Sequence, residues 1–159
     1  MRLRVAAAFV AVAAALGAAT VITGVFGSGD DGRPASDPRA AGLPRPSADS
    51  AKATLGYLRA EGAPLIEMHA AAREIPSTVD APRCRSLVRG LNRSAPSNRV
   101  VALTAKVRDE PLRAALSDER ANLGATLTGC LRGGAFASAN ARRAAGLVQA
   151  RLDQLRAAG

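Results

Sequence analysis

The chain has 159 residues, a formal net charge of +9 and only 3% aromatic residues, with no tryptophan. This length fits one domain beside a leader segment and excludes two domains of ordinary size. Because aromatic side chains are the platforms on which single-stranded nucleic acids stack, their scarcity leads us to expect no nucleic-acid partner.

The composition beyond the first 26 residues favours helices. Its apolar side chains are mainly leucine, valine and alanine, and alanine has the highest helix propensity. The β-branched and aromatic residues that favour strands are few. We therefore predict an all-α protein with an N-terminal membrane helix or signal over 1–26, a flexible linker over 27–48, and a small antiparallel bundle of about four helices plus a short one over 49–159.

An uncharged apolar segment, residues 5–26, follows Arg2 and Arg4 at the start of the chain. A basic start before such a segment is typical of an export signal. The segment is long enough to span a bilayer, which favours an uncleaved single-pass membrane anchor. A cleaved signal peptide followed by secretion is the alternative, and a buried helix of a cytosolic protein is a third interpretation. Under the first two interpretations, the chain after Gly27 is extracytoplasmic.

The linker segment is rich in glycine, proline, serine and aspartate, and Leu43 is its only large aliphatic residue. Such a sequence cannot bury enough apolar surface to offset the entropy lost on ordering. We predict a disordered tether between the leader and the helical domain.

The first helix of the domain is predicted over residues 50–75, where apolar side chains recur at steps of three and four. Pro64 removes a backbone donor in its middle, and Pro76 ends it. Because the apolar spacing continues through Pro64, we favour one kinked helix over two separate helices.

Three further helices begin at capping residues or prolines. Asp80 caps the second helix, and the third is short and begins at Pro96. Asp109 caps the longer fourth helix, which ends at Gly133 and Gly134. The fifth covers about 136–157. The residues expected to face the core are Cys84, Leu87, Val88 and Leu91 in the second helix, Val100, Leu103, Thr104 and Val107 in the third, Leu112, Leu116, Leu123, Leu127, Cys130 and Leu131 in the fourth, and Phe136, Ala144, Leu147, Val148, Leu152 and Leu155 in the last.

Cys84 and Cys130 are the only cysteines, and each lies on the apolar side of its helix. Two buried free thiols are one interpretation. The expected export favours a disulfide instead, because disulfides form and persist outside the cytoplasm. Closing this loop would stabilise the fold by about 4 kcal/mol in the chain-entropy model.

His69 is the only histidine, and no further ligands at metal-binding spacing accompany it. We interpret it as a histidine at the edge of the apolar face, and keep as the alternative a ligand site that His69 forms with Glu67 or Tyr57. No glycine pattern of a nucleotide-binding loop is present. The sequence thus predicts no catalytic residue, no metal and no cofactor.

Two charged pairs are expected on the helix surface. Asp118 and Glu119 are predicted to be an exposed acidic pair. Asp109 and Arg113 have the i,i+4 spacing at which opposite charges meet on a helix.

Arg85, Arg89 and Arg93 recur at steps of four on the side of the second helix opposite its apolar stripe. A solvated helix face is one interpretation, and a strip that binds anionic wall polymers or lipid headgroups is the other. The expected function is a non-enzymatic module of the bacterial cell envelope that binds a protein partner or an anionic polymer. A small-ligand carrier or envelope enzyme that uses His69 is the alternative.

Overall fold

A computed structural model describes residues 42–78, 80–133 and 138–159 of the chain. These residues form six α-helices and no strand, which confirms the all-α prediction for this part of the chain. The expected leader over 1–26, most of the linker and Phe136 lie outside the described residues. In the part of the chain that is described, no helix combines the length and apolarity needed to cross a membrane.

The helices follow one another through short connections. They are α1 (Ala48–Ala60), α2 (Ala63–Glu74), α3 (Ala81–Ser94), α4 (Ser97–Ala105), α5 (Glu110–Leu131) and α6 (Ser138–Ala158). The predicted caps are confirmed: the Asp80 carboxylate accepts from the backbone N–H of Arg83 at 2.8 Å, and Asp109 caps α5 in the same way. Beyond α5, Gly133 has a φ of 68°, the left-handed conformation that glycine adopts most easily.

The prediction of one kinked helix over 50–75 is wrong, because the chain breaks into α1 and α2 at Gly62. Pro64 lies in the first turn of α2, where its missing N–H costs nothing, whereas in a continuous helix its ring would clash with the preceding turn. Gly62 also packs on the end of α1: a Cβ atom there would lie 2.7 Å from the Leu58 carbonyl oxygen. The apolar spacing continues through the break because α1 and α2 each bury one face in the same core.

The two longest helices, α5 and α6, form the most extensive helix pair of the bundle. The helices α1 and α2 pack on α6, while α3 and α4 pack on α2 and α5. The buried apolar residues join in one core; its larger members are Leu58, Leu65, Met68, Ile75, Val100, Leu103, Val107, Leu112, Leu116, Leu123, Val148, Leu152 and Leu155.

The predicted inward stripes are confirmed in part. All four residues expected on the inner side of the third predicted helix are buried, although Val107 lies beyond the end of α4. In α3 only Cys84 is buried, and the other three predicted residues are half-buried. Leu131 was expected in the core but is 52% exposed, because Cys130 occupies the inward position one residue earlier. In place of Leu131, the buried face of α5 includes Glu119 and Thr126.

Candidate functional site

The predicted disulfide between Cys84 and Cys130 is confirmed, with the two Cα atoms 6.2 Å apart. This separation lies within the range that disulfides span. The bridge joins the first turn of α3 to the last turn of α5. It therefore fixes the start of α3, whose other apolar residues are only half-buried.

Arg85, Arg89 and Arg93 are all exposed on the outer side of α3, and we call them the α3 arginine face. None of them forms an ion pair with a residue that the structure describes. The segment from 81 to 108 carries seven basic side chains and no acidic one. The α3 arginine face is thus a line of uncompensated positive charge.

His69 is buried in the bundle, with 5% of its surface exposed, rather than at the edge of the apolar face. Its Nδ1 atom lies 2.8 Å from Oε1 of Glu119, and Glu119 is completely buried. The prediction that Asp118 and Glu119 form an exposed acidic pair is therefore wrong: Asp118 is exposed, whereas Glu119 points into the core. The contact joins α2 to α5.

The second ring nitrogen of His69 also faces an acceptor. Its Nε2 lies 3.2 Å from Oε1 of Gln149, and the orientation of that amide is fixed by two further hydrogen bonds. Arg73 donates to Gln149 Oε1 at 3.0 Å, and Gln149 Nε2 donates to Asp153 at 2.9 Å. Both ring nitrogens of His69 therefore lie within hydrogen-bond distance of side-chain oxygen atoms. Oε2 of Glu119 has no hydrogen-bond partner among the described residues.

The other two members of the sequence-predicted ligand site lie elsewhere. Glu67 is exposed on α2, and the Tyr57 hydroxyl donates to the Leu103 carbonyl at 2.8 Å. Burial raises the pKa of the Tyr57 hydroxyl above its ordinary value of 10.0; Glu61 adds to the rise, and Lys106 opposes it. The structure describes no contact that brings His69, Glu67 and Tyr57 together.

A buried ion pair between Asp109 and Arg151 was not predicted. Arg151 is 2% exposed, and its Nε and Nη2 atoms donate to the two carboxylate oxygens of Asp109 at 2.9 and 2.6 Å. Its Nη1 atom donates to the Pro44 carbonyl at 2.7 Å. The predicted pair of Asp109 with Arg113 is wrong, since Arg113 lies 3.4 Å from Glu110 instead.

Two opposite effects act on the pKa of the buried Asp109 carboxyl group: loss of water and contact with its partners. Desolvation alone would raise its pKa, but the hydrogen bond from Arg151, the backbone N–H of Leu112 and the Arg151 charge together lower the pKa below its ordinary value of 3.8. Asp109 is therefore held as a carboxylate at neutral pH.

Two shallow clefts open on the described surface, and His69 lines neither of them. One, the α4–α5 groove, has a volume of about 290 Å³ and lies between α4 and the first half of α5. The other, the α1 cleft, has a volume of about 390 Å³. It is lined by Ala53, Thr54 and Tyr57 of α1, by Glu61 directly after α1, and by Lys106 and Arg108 of the α4–α5 loop.

The buried charges could have been found from the period of the sequence. Glu119 fills the seven-residue gap between Leu116 and Leu123, and His69 lies four residues after Leu65. Such a position on an apolar stripe is buried even when its side chain is charged, provided that a partner compensates it.

Within the described part of the chain, no three histidine, cysteine, aspartate or glutamate side chains are grouped to hold a metal ion. In comparisons with known proteins, no family model, no curated protein and no solved structure matches this chain.

Proposed function

We propose that this protein is a non-enzymatic helical module of the bacterial cell envelope that binds a phosphate-bearing envelope polymer through the α3 arginine face. The observation that carries the proposal is the exposure of Arg85, Arg89 and Arg93 along one helix without an acidic partner among the described residues. Two other arginines are paired within their own helix, Arg113 with Glu110 and Arg156 with Asp153.

The chemistry and spacing of the α3 arginine face suit a chain of phosphate groups. A guanidinium group donates two parallel hydrogen bonds to a phosphate, a geometry that an ammonium group cannot reproduce. Residues four apart on one helix face are separated by about 6 Å along the helix axis. The three arginines can therefore contact successive anionic groups of an extended polymer.

A polymer fits this face better than a lipid surface does. Helices that lie on a membrane insert large apolar side chains beside their basic ones. The large hydrophobic residues exposed in the described chain are Ile66, Val101 and Leu131, and none of them belongs to α3. A basic helix face without an exposed apolar anchor favours binding to a soluble or wall-bound polyanion over binding to a membrane.

The export pattern over residues 1–26 and the Cys84–Cys130 disulfide support a location outside the cytoplasm. The module would be held by a single-pass anchor, or released if the leader is cleaved. Fractionation of cells that produce the full chain tests this part: recovery in the soluble cytosolic fraction with reduced thiols would contradict it.

Binding of the full chain to poly(glycerol phosphate) tests the ligand. We expect the Arg85→Gln/Arg89→Gln/Arg93→Gln variant to bind at least about tenfold more weakly, since each arginine near an anionic surface contributes about 1 kcal/mol. Its affinity should also fall less steeply with salt concentration, because fewer charges are screened.

A matched control removes the same charge from other faces. Arg59, Arg120 and Arg143 are exposed on α1, α5 and α6 and have no ion pair among the described residues. Their triple glutamine variant should retain most of the affinity. Equal loss in both variants would mean that net charge, and not the α3 arginine face, controls binding. Stronger binding of the natural chain to phosphatidylglycerol vesicles than to the polymer would favour a lipid ligand.

A further inference from the structure

The α1 cleft contains a buried hydroxyl group that has no hydrogen-bond partner. Thr54 is 1% exposed, and its Oγ1 atom is unpaired within the described structure. A threonine in a helix commonly donates to the carbonyl four residues earlier, as Thr104 does to Val100 at 2.8 Å. Thr54 lacks this bond, and a buried donor without an acceptor destabilises the protein that contains it. A bound molecule with a hydrogen-bond acceptor would satisfy the Thr54 hydroxyl.

The charges around the cleft indicate what kind of acceptor that is. Arg108 is exposed at the cleft and makes no ion pair with the described residues. Lys106 lies 3.4 Å from Glu61, but both side chains of this pair are more than half exposed, so that water screens the attraction. Two cationic side chains and the unpaired Thr54 hydroxyl thus line the cleft beside one carboxylate, that of Glu61, and the remaining positive charge suits an oxyanion.

Tyr57 adds a complementary acceptor to the same cleft. Its hydroxyl proton is donated to the Leu103 carbonyl, so the lone pairs of its oxygen are left for a donor. The hydroxyl keeps that proton at neutral pH, because its ordinary pKa of 10.0 already lies well above pH 7 and burial raises the pKa further. The volume of about 390 Å³ is at the lower end of the range for small-molecule sites.

We propose that the α1 cleft binds a small organic anion, with its carboxylate or phosphate group between Lys106 and Arg108 and one oxygen accepting from Thr54. A hydroxyl or amine elsewhere on the ligand would donate to Tyr57. This site is separate from the α3 arginine face and does not depend on the proposed function.

Titration of the full chain with inorganic phosphate and, separately, with acetate tests the site by NMR chemical-shift perturbation. We expect saturable shifts at the amides of the residues that line the cleft. The Thr54→Val variant keeps the shape of the side chain without its hydroxyl, and should bind the preferred anion about tenfold more weakly. The Arg108→Gln variant should lose at least as much affinity for that anion. The tighter of the two probes identifies the anionic group.

Three controls make the result decisive. The Arg143→Gln variant and the triple variant of the α3 arginine face should keep the affinity of the natural chain. The melting temperature of Thr54→Val should be equal to or above that of the natural chain, so that lost binding is not lost folding. Shifts that grow linearly without saturation, or a Thr54→Val variant with unchanged affinity, would overturn the proposal.

Discussion

At the residue scale, the interior of the bundle contains one hydrogen-bonded histidine–glutamate pair and one ion pair. His69 and Glu119 connect α2 with α5, while Asp109 and Arg151 connect the start of α5 with α6. Removing charges from water is costly, and mutual attraction repays that cost only when each charge keeps its partner. Replacing one residue of such a pair should therefore destabilise the protein more than replacing both residues.

Removal of the His69 side chain should be strongly destabilising. His69→Leu leaves the fully buried Glu119 carboxyl group without its hydrogen-bond partner, which we expect to cost about 1–3 kcal/mol in the free energy of unfolding. The His69→Leu/Glu119→Leu double variant removes both buried polar groups and should recover most of that loss. Urea unfolding followed by circular dichroism measures both. A double variant no more stable than His69→Leu would contradict the account.

At the element scale, α3 is held to the bundle differently from its neighbours. Only Cys84 is buried in this helix, and its remaining apolar residues are half-buried. The helix carries four arginines and no acidic residue, so its own surface charges repel one another. We infer that the disulfide, more than apolar packing, keeps the α3 arginine face in position.

Loss of the disulfide should therefore affect α3 before the rest of the bundle. The Cys84→Ser/Cys130→Ser variant is expected to lose about 4 kcal/mol in the free energy of unfolding, the loop-closure value for a separation of 46 residues. Hydrogen exchange should rise first at the amides of α3 and least in α6. Uniform exchange through all helices would show instead that α3 is an integral part of the core.

At the scale of the whole molecule, Arg151 links segments that are far apart in the chain. It binds Asp109 at the start of α5 and the Pro44 carbonyl before α1. The charge state of Asp109 therefore affects how the two ends of the described chain are held, and stability should depend on pH through this carboxyl group.

The pH dependence has a definite sign. Because the pKa of Asp109 is lowered in the folded protein, its contribution is complete above the unfolded value near 3.8 and is lost as the pH falls towards the folded value. Asp109→Asn keeps a capping side chain but removes the charge, and should cost about 3 kcal/mol at pH 7. The difference from the natural chain should shrink below pH 4.

Urea midpoints between pH 2.5 and 7 measure this effect. Asp80→Asn is the matched control, because Asp80 also caps a helix but is exposed and makes no ion pair with an arginine side chain in the described structure. The control should differ little from the natural chain. A constant difference between Asp109→Asn and the natural chain down to pH 2.5 would rule out the ionised pair.

The sequence by itself determined the helical class, the capping residues Asp80 and Asp109, the inward face of α4 and the pairing of the two cysteines. The first three features depend on local chemistry and on the helical period, which neighbouring residues determine. The disulfide followed instead from the presence of only two cysteines and the expected export. The exposure of the α3 arginine face also followed from that period.

Only the tertiary structure decided which ionisable side chains are buried and which partners they contact. Glu119 meets His69, and Arg151 meets Asp109, across sequence separations that no local pattern encodes. The break at Gly62 likewise depends on the close approach of its backbone to Leu58. A charged side chain on an apolar stripe remains ambiguous until packing brings a partner, because the cost of desolvation is repaid only by a contact that folding itself creates.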